Sequence, residues 1–181
     1  MTPQERSLLE SLDALLRMEA IRARILPIVE HVGKKLARDH TTRMAWEPIP
    51  LSVYGAALPP QIRSSWVFIL RAGATTGAER HPNRHQRMMS FQGTGDMQTG
   101  GEVRWQSNVL ASAPDADLEQ RWISIPENVW HQVVVPEGDD WVVVSFHTVP
   151  AHELIEERPD AEDPHRTQQK HYVGSEEQSR A

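Results

Sequence analysis

Gly73-Ala74-Thr75-Thr76-Gly77-Ala78-Glu79-Arg80-His81-Pro82-Asn83-Arg84-His85-Gln86, running on to Gly93, and Pro126-Glu127-Asn128-Val129-Trp130-His131 are the stretches on which the reading of the fold turns. Glu79 and His81 are two apart, so on a strand both side chains point to one face. Pro82-Asn83 makes a bend, from which the chain can return with His85 or Gln86 near the same point. His131 opens a later apolar run, Gln132-Val133-Val134-Val135, and can close the set. Imidazole and carboxylate together suit Fe, Mn, Ni, Co, Cu or Zn. A metal needs ligands that converge from separate strands. Glu79, His81, His85 and His131 are therefore the candidate metal ligands, with Gln86 the rival of His85 for the fourth place. Ligand bonds near 2.0–2.2 Å require the donor atoms to converge within about 5 Å.

Outward from these stretches, short β-rich runs are expected at 48–54, 65–72, 77–81, 86–92, 102–110, 121–125, 131–135 and 141–148. Trp66-Val67-Phe68-Ile69-Leu70 and Trp141-Val142-Val143-Val144 are nearly continuous apolar runs, as for strands buried on both faces. Gly93-Thr94-Gly95-Asp96 and Pro136-Glu137-Gly138-Asp139-Asp140 are turn signals. Many short strands with regular turns predict an all-β sandwich or barrel, a class that includes jelly rolls. Met88, Met89, Phe91, Trp122 and Trp130 are expected in the core.

The flanks differ. Residues 3–39 read as helical, started by Thr2, Pro3 and Glu5 as cap, first-turn proline and capping-box carboxylate. Leu8, Leu9, Leu12, Leu15 and Leu16 recur at the 3.6 period and give one apolar stripe. Pro27 is expected to break or kink the helix. After residue 150 the chain turns polar: Ala151 to Glu157 reads as a short helix, and 158–181 as a mobile tail or an arm on a partner. The expected organisation is an N-terminal helical segment (1–44), a β domain (45–150) and a short helix with tail (151–181).

The two quoted stretches resemble the cupin superfamily. Its first motif runs Gly, five residues, His-x-His, three or four residues, Glu, six residues, Gly. Gly73, Glu79-Arg80-His81 and Gly93 fall in that frame. Its second motif contains Pro-x-Gly-x-x-His, which Pro126-x-Asn128-x-x-His131 matches with Asn for Gly. That exchange is mild, since Asn tolerates the left-handed conformation. The family's first His is Glu79 here, and its Glu falls at His85 or Gln86, depending on the spacing. The distance to Gly93 favours Gln86, and ligand chemistry favours His85. The resemblance covers roughly residues 65–148. It implies a mainly β, cupin-type jelly-roll barrel with a divalent metal in its mouth, iron first, with zinc, manganese or nickel as alternatives. With Fe(II) it implies dioxygenase-type chemistry on a small organic substrate, Glu79 serving as ligand and base. With the other metals it implies isomerase or lyase chemistry. The rival readings are a non-catalytic small-molecule-binding or sensor module and a structural subunit of a larger enzyme.

His147 alternates with Ser145 and Val143 on the last strand and is a candidate base or hydrogen-bond partner for a ligand. Arg71 is a candidate for orienting an anionic substrate. A homodimer is expected, because sheet edges and the extra helices need covering. The bulk numbers agree with these readings. A net charge of −6 argues against nonspecific nucleic-acid binding, which needs clustered Lys and Arg. The absence of cysteine removes disulfides, thiolate metal sites and cysteine nucleophiles. No apolar run reaches the roughly 20 residues that span a bilayer. Met1-Thr2-Pro3-Gln4-Glu5 lacks a basic region followed by an apolar stretch, so a cytoplasmic location is the default expectation.

Overall fold

The computed structural model describes residues 1–101, 104–161, 163 and 166–171. Two helices lead: α1 (Pro3–Arg17) and α2 (Glu19–Arg38). The Thr2 hydroxyl accepts from the Glu5 amide at 3.2 Å and Pro3 opens the helix, as its missing N–H allows. The break falls at Met18, whose ψ of 125° is extended, and not at Pro27, which lies inside α2. Pro27 and Ala23 are both exposed, so water can satisfy the Ala23 carbonyl that loses its donor.

The strands are β1 (Met44–Pro48), β2 (Ser64–Leu70), β3 (Gln86–Gln92), β4 (Thr94–Gly101), β5 (Arg104–Gln106), β6 (Val109–Ala111), β7 (Trp122–Ile125), β8 (Trp130–Val134), β9 (Trp141–His147), β10 (Ile155–Pro159) and β11 (Thr167–His171). A four-residue helix, α3 (Leu118–Arg121), precedes β7. One antiparallel sheet has the order β1-β2-β9-β3-β7. In the second, β4 pairs with β8 along one edge and with β5 and β6 along the other. The strand expected at 48–54 sits earlier, at 44–48, because Pro48 and Pro50 stop the ladder and 51–57 coil into 3-10 turns. The run at 77–81 is not a strand but two isolated bridges, Glu79 to His131 and Arg80 to Glu157.

The pleat sorts the first sheet into two faces. Val67, Ile69, Met89, Phe91, Val142, Val144 and Phe146 face outward and pack under the leucine stripe of α1 and under Ile25, Val29 and Val32 of α2. Trp66, Phe68, Leu70, Met88, Trp141 and Val143 face inward and meet Met97, Leu110 and Val133 of the second sheet. Each such side chain removed from water contributes about 1.5–3 kcal/mol, which is why the helices form a second layer over the sheet. Gly95 is needed at the sheet junction, where an added Cβ would lie 2.2 Å from the Trp141 ring.

The C-terminal segment departs from its polar reading. The expected short helix is a 3-10 turn at Ala151–Glu153, and β10 and β11 then pair as a hairpin. Leu154 anchors its start in the core, and ion pairs join its two strands. The buried Glu156 meets both Arg158 at 2.6 Å and Lys170 at 2.9 Å. Residues 172–181 of the expected tail lie outside the described residues. No described helix is long and apolar enough to cross a membrane.

Candidate metal centre

Glu79 and His131 face each other as a narrow antiparallel pair. Each amide donates to the other's carbonyl at 2.8 Å. His81 follows two residues on, with its side chain on the same side as Glu79. Asn128, at the glycine position of the second motif, has φ +63° and donates its N–H to the His81 carbonyl at 2.9 Å. The left-handed residue therefore ties the turn before β8 to the strand segment that carries His81. The two motif turns thus meet inside one sandwich. The fold is a two-sheet antiparallel β-sandwich of the jelly-roll class.

Glu79, His81 and His131 each offer one ligand atom, and these atoms lie within 4.8 Å of one another. Glu79 Oε1 is 3.8 Å from His81 Nε2 and 3.6 Å from His131 Nε2. Backbone carbonyls fix both ring tautomers. His81 Nδ1 lies 3.0 Å from the Ile155 carbonyl and His131 Nδ1 lies 3.0 Å from the Val129 carbonyl. Each Nδ1 is therefore the donor, and each Nε2 presents a lone pair toward Glu79. His131 Nε2 is buried and has no hydrogen-bond partner among the described residues, an arrangement that costs free energy unless something binds there. Two imidazole nitrogens and one carboxylate oxygen fit a divalent transition metal.

The electrostatics keep Glu79 and His81 in their ligating form. Burial pushes the His81 imidazole down, and the Arg84 guanidinium and His131 add to that, to about 2. Burial alone would raise the Glu79 carboxyl. The approach of His131, with His81 and Arg158, outweighs it and holds the group at about 2. Both side chains are in the protonation state a metal requires at neutral pH.

The hairpin supplies the supports. Arg158 Nη2 donates to Glu79 Oε2 at 2.5 Å, its Nη1 to the Thr76 carbonyl at 3.1 Å and its Nε to Glu156 at 2.6 Å. Ile155 orients His81, as above. Arg80 and Glu157 exchange two backbone hydrogen bonds and an ion pair of 2.7 Å. Two of the three candidate ligands are thus held from β10. Sequence reasoning missed Arg158, since no pattern in a polar segment marks it.

His85 does not join the set. Its Nε2 lies 2.6 Å from Ser124 Oγ and 3.7 Å from Glu5 on α1, outside the sandwich. The reason is pleat parity: Gln86, Met88 and Ser90 point inward, so His85, Arg87 and Met89 point outward. Gln86 lines the interior beside Glu79 and Arg84, as the spacing to Gly93 favoured, and its Oε1 is buried without a hydrogen bond. The parity of Met88 and Phe91 in the sequence carried this information. Arg71 is also removed from the site. It caps the end of α2 through the carbonyls of Leu36, Asp39 and Thr42. His147 is fully buried inside, 3.4 Å from Ser64 Oγ, with Arg84 Nη1 3.1–3.2 Å from its two ring nitrogens. Burial and the charge of Arg84 push its imidazole well below the ordinary range, so it is neutral there. Arg84 was not anticipated. It is 2% exposed, and its Nη2 lies 2.5 Å from His81 Nε2. Glu79, Arg84, Gln86, Met88 and Val133 help to line an interior cavity of about 30 Å³, room for a water or an ion.

No family model matches the sequence, and no characterised protein matches it as a relative. Solved structures do match. The capsular polysaccharide assembling protein CapF from Staphylococcus aureus aligns over 59% of this chain and 26% of its own, at 15% identity and TM-score 0.48. An oxalate oxidase in complex with the substrate analogue glycolate aligns over 61% of this chain and 54% of its own, at 14% identity and TM-score 0.46. KdgF from Halomonas sp. aligns over 61% and 84%, at 15% identity and TM-score 0.43. The chain spans about a quarter of CapF and about half of the oxalate oxidase.

Proposed function

We propose that the protein is a metal-dependent enzyme of the cupin type, in which Glu79, His81 and His131 hold a divalent cation. The observation that carries this reading is the convergence of two tautomer-locked imidazoles and a carboxylate within 4.8 Å, with His131 Nε2 buried and unbonded among the described residues. Iron is the favoured metal, and with iron bound the site would supply dioxygen chemistry to a small organic substrate. Zinc, manganese or nickel would supply Lewis-acid chemistry for an isomerisation or a lyase reaction instead.

The chain's own residues have separable duties in this reading. Glu79 Oε1 faces the two imidazoles, while Oε2 is held by Arg158, so the carboxylate is oriented before anything binds. An oriented carboxylate held ionised can also take an acidic proton from a substrate. The inward apolar side chains Phe68, Leu70, Met97 and Val143 line the cavity beside Glu79. With so little free space inside, the substrate is small or meets the site from its mouth. The test is elemental analysis of the purified protein followed by oxygen-uptake assays with the iron form. Near-stoichiometric iron and substrate-dependent oxygen uptake support an oxygenase. Stoichiometric zinc, manganese or nickel with no uptake turns the reading to isomerase or lyase chemistry. A protein that takes up no metal after reconstitution contradicts the proposal.

A further inference from the structure

We infer that a second binding site lies under the corner between α1 and α2, and that it takes a phosphate monoester with a small apolar group. Arg17 ends α1 and Arg22 stands near the start of α2, one on each side of the break at Met18. Together with Met89 and Phe91 of β3, Ser112 and Arg121, they line a cavity of about 320 Å³. That volume falls at the small end of the range for ligand pockets, about 300–1,000 Å³. Met89 and Phe91 belong to the outward core and Glu79 lines the inner cavity, so the first sheet separates the two sites. The inference does not depend on the metal reading.

The charges around this cavity do not balance. Three guanidiniums line it and no carboxylate does. Asp13 is the one carboxylate that any of the three meets among the described residues, at 2.7 Å from Arg121 and 3.7 Å from Arg17. Arg22 meets none, and its guanidinium carbon lies 4.4 Å from the centre of the Phe91 ring. A guanidinium held over a ring face keeps its N–H groups for an acceptor. Arg121 is 6% exposed and fixed by the carbonyls of Pro114 and Ala116 as well as by Asp13. Its Nε has no hydrogen-bond partner among the described residues. The Ser112 hydroxyl accepts from the Gly93 amide at 3.1 Å, which leaves its own hydrogen to donate. Two surplus positive charges gather here in a chain whose net charge is −6. A phosphate monoester brings about 1.5–2 negative charges near pH 7 on one compact head. Its oxygens match the guanidinium fork with parallel hydrogen bonds. Met89 and Phe91 supply apolar wall for the rest of the molecule.

The experiment is isothermal titration calorimetry of the full chain with phenyl phosphate. Inorganic phosphate and benzyl alcohol serve as its two halves, and phthalate as a dianion with two carboxylates. Phenyl phosphate should bind at least about tenfold more tightly than each of the three, since only it joins a compact dianion to an apolar body. Arg22→Gln should weaken it by at least about tenfold, as the loss of a charge-assisted hydrogen bond implies. Arg24→Gln, which removes the same charge from an exposed position of α2, should leave it unchanged. Should Arg22→Gln fail to fold, Arg17→Gln, at an exposed position, repeats the test. No binding of phenyl phosphate, or binding that both variants leave intact, overturns the inference. Inorganic phosphate binding as tightly overturns the apolar body, and phthalate binding more tightly overturns the phosphate. Binding that His131→Ala removes and Arg22→Gln keeps puts the probe at the metal centre, and that also overturns the inference.

Discussion

Two polar clusters of similar composition lie on opposite faces of the first sheet. Outside, Glu5 accepts from Arg87 at 2.7 and 2.9 Å and from Ser124 at 2.6 Å, and Ser124 takes the His85 Nε2 hydrogen. Inside, Glu79 faces His81 and His131 at 3.6–3.8 Å, and His131 Nε2 makes no hydrogen bond among the described residues. Both contain a glutamate, a histidine and an arginine. The outer one has a protein partner for each Glu5 oxygen and for His85 Nε2, and it fastens α1 to the sheet. The inner one holds its donors in a fixed geometry and, among the described residues, leaves His131 Nε2 without a hydrogen bond. Residue inventory alone does not separate a fastening from a binding site; the satisfaction of the ring nitrogens does.

The largest effect that would sharpen this contrast is on stability. Asp13 of α1 is buried, accepting from Arg121 at 2.7 Å and from the Trp122 indole at 2.9 Å. Asp13→Ala leaves Arg121 buried without its carboxylate and should cost about 3–5 kcal/mol in urea unfolding. Metal affinity should not change, because nothing on the outer face reaches the ligands. A matching loss of metal affinity in the still-folded variant would break the contrast.

Next in size is Arg158→Ala. Glu79 keeps its backbone position but loses the partner of Oε2, and a ligand released from such a support typically costs about 10–100-fold in metal affinity. Competition with a chelator measures it. Unchanged affinity would mean that β10 is mere covering.

The pH dependence of the metal-free protein comes third. His81 and His147 have folded pKa values depressed below 6.5, so the unfolded chain binds more protons than the folded one once the pH falls below that value. Stability should be full above about pH 6.5 and fall on acidification, each histidine contributing a slope of up to about 1.4 kcal/mol per pH unit. Glu79, held at about 2 against 4.5, has the same sign and adds to the loss below about pH 4.5. Urea midpoints between pH 7.5 and 5 test this, with a flat profile the contrary result.

Much of the sandwich was legible because its strands are apolar and its turns are marked by glycine and proline. The leucine stripe of α1 is buried as its period requires. The helix break was misplaced because Pro27 is exposed, where water tolerates it, whereas Met18 carries no sequence mark. The hairpin 155–171 was illegible because its strands are polar and show no apolar alternation. At the site, Glu79, His81 and His131 came together as their spacing suggested. His85 was placed by ligand chemistry, and strand parity decided against it. Arg84 and Arg158 sit in segments with no pattern, and only the folded chain brings them to Glu79 and His81.

Parity makes His85 and His131 the sharpest pair to measure. His85→Ala should leave metal affinity unchanged and cost about 1 kcal/mol of stability, for the hydrogen bond to Ser124. His131→Ala removes a ligand while sparing the fold, and metal content should fall from near one equivalent to near zero. The decisive measurement is metal content and affinity of these two variants side by side with the wild type, with circular dichroism confirming the fold of each. Loss in His131→Ala with retention in His85→Ala is the result this account requires. Equal retention in both, or loss in His85→Ala alone, would contradict it.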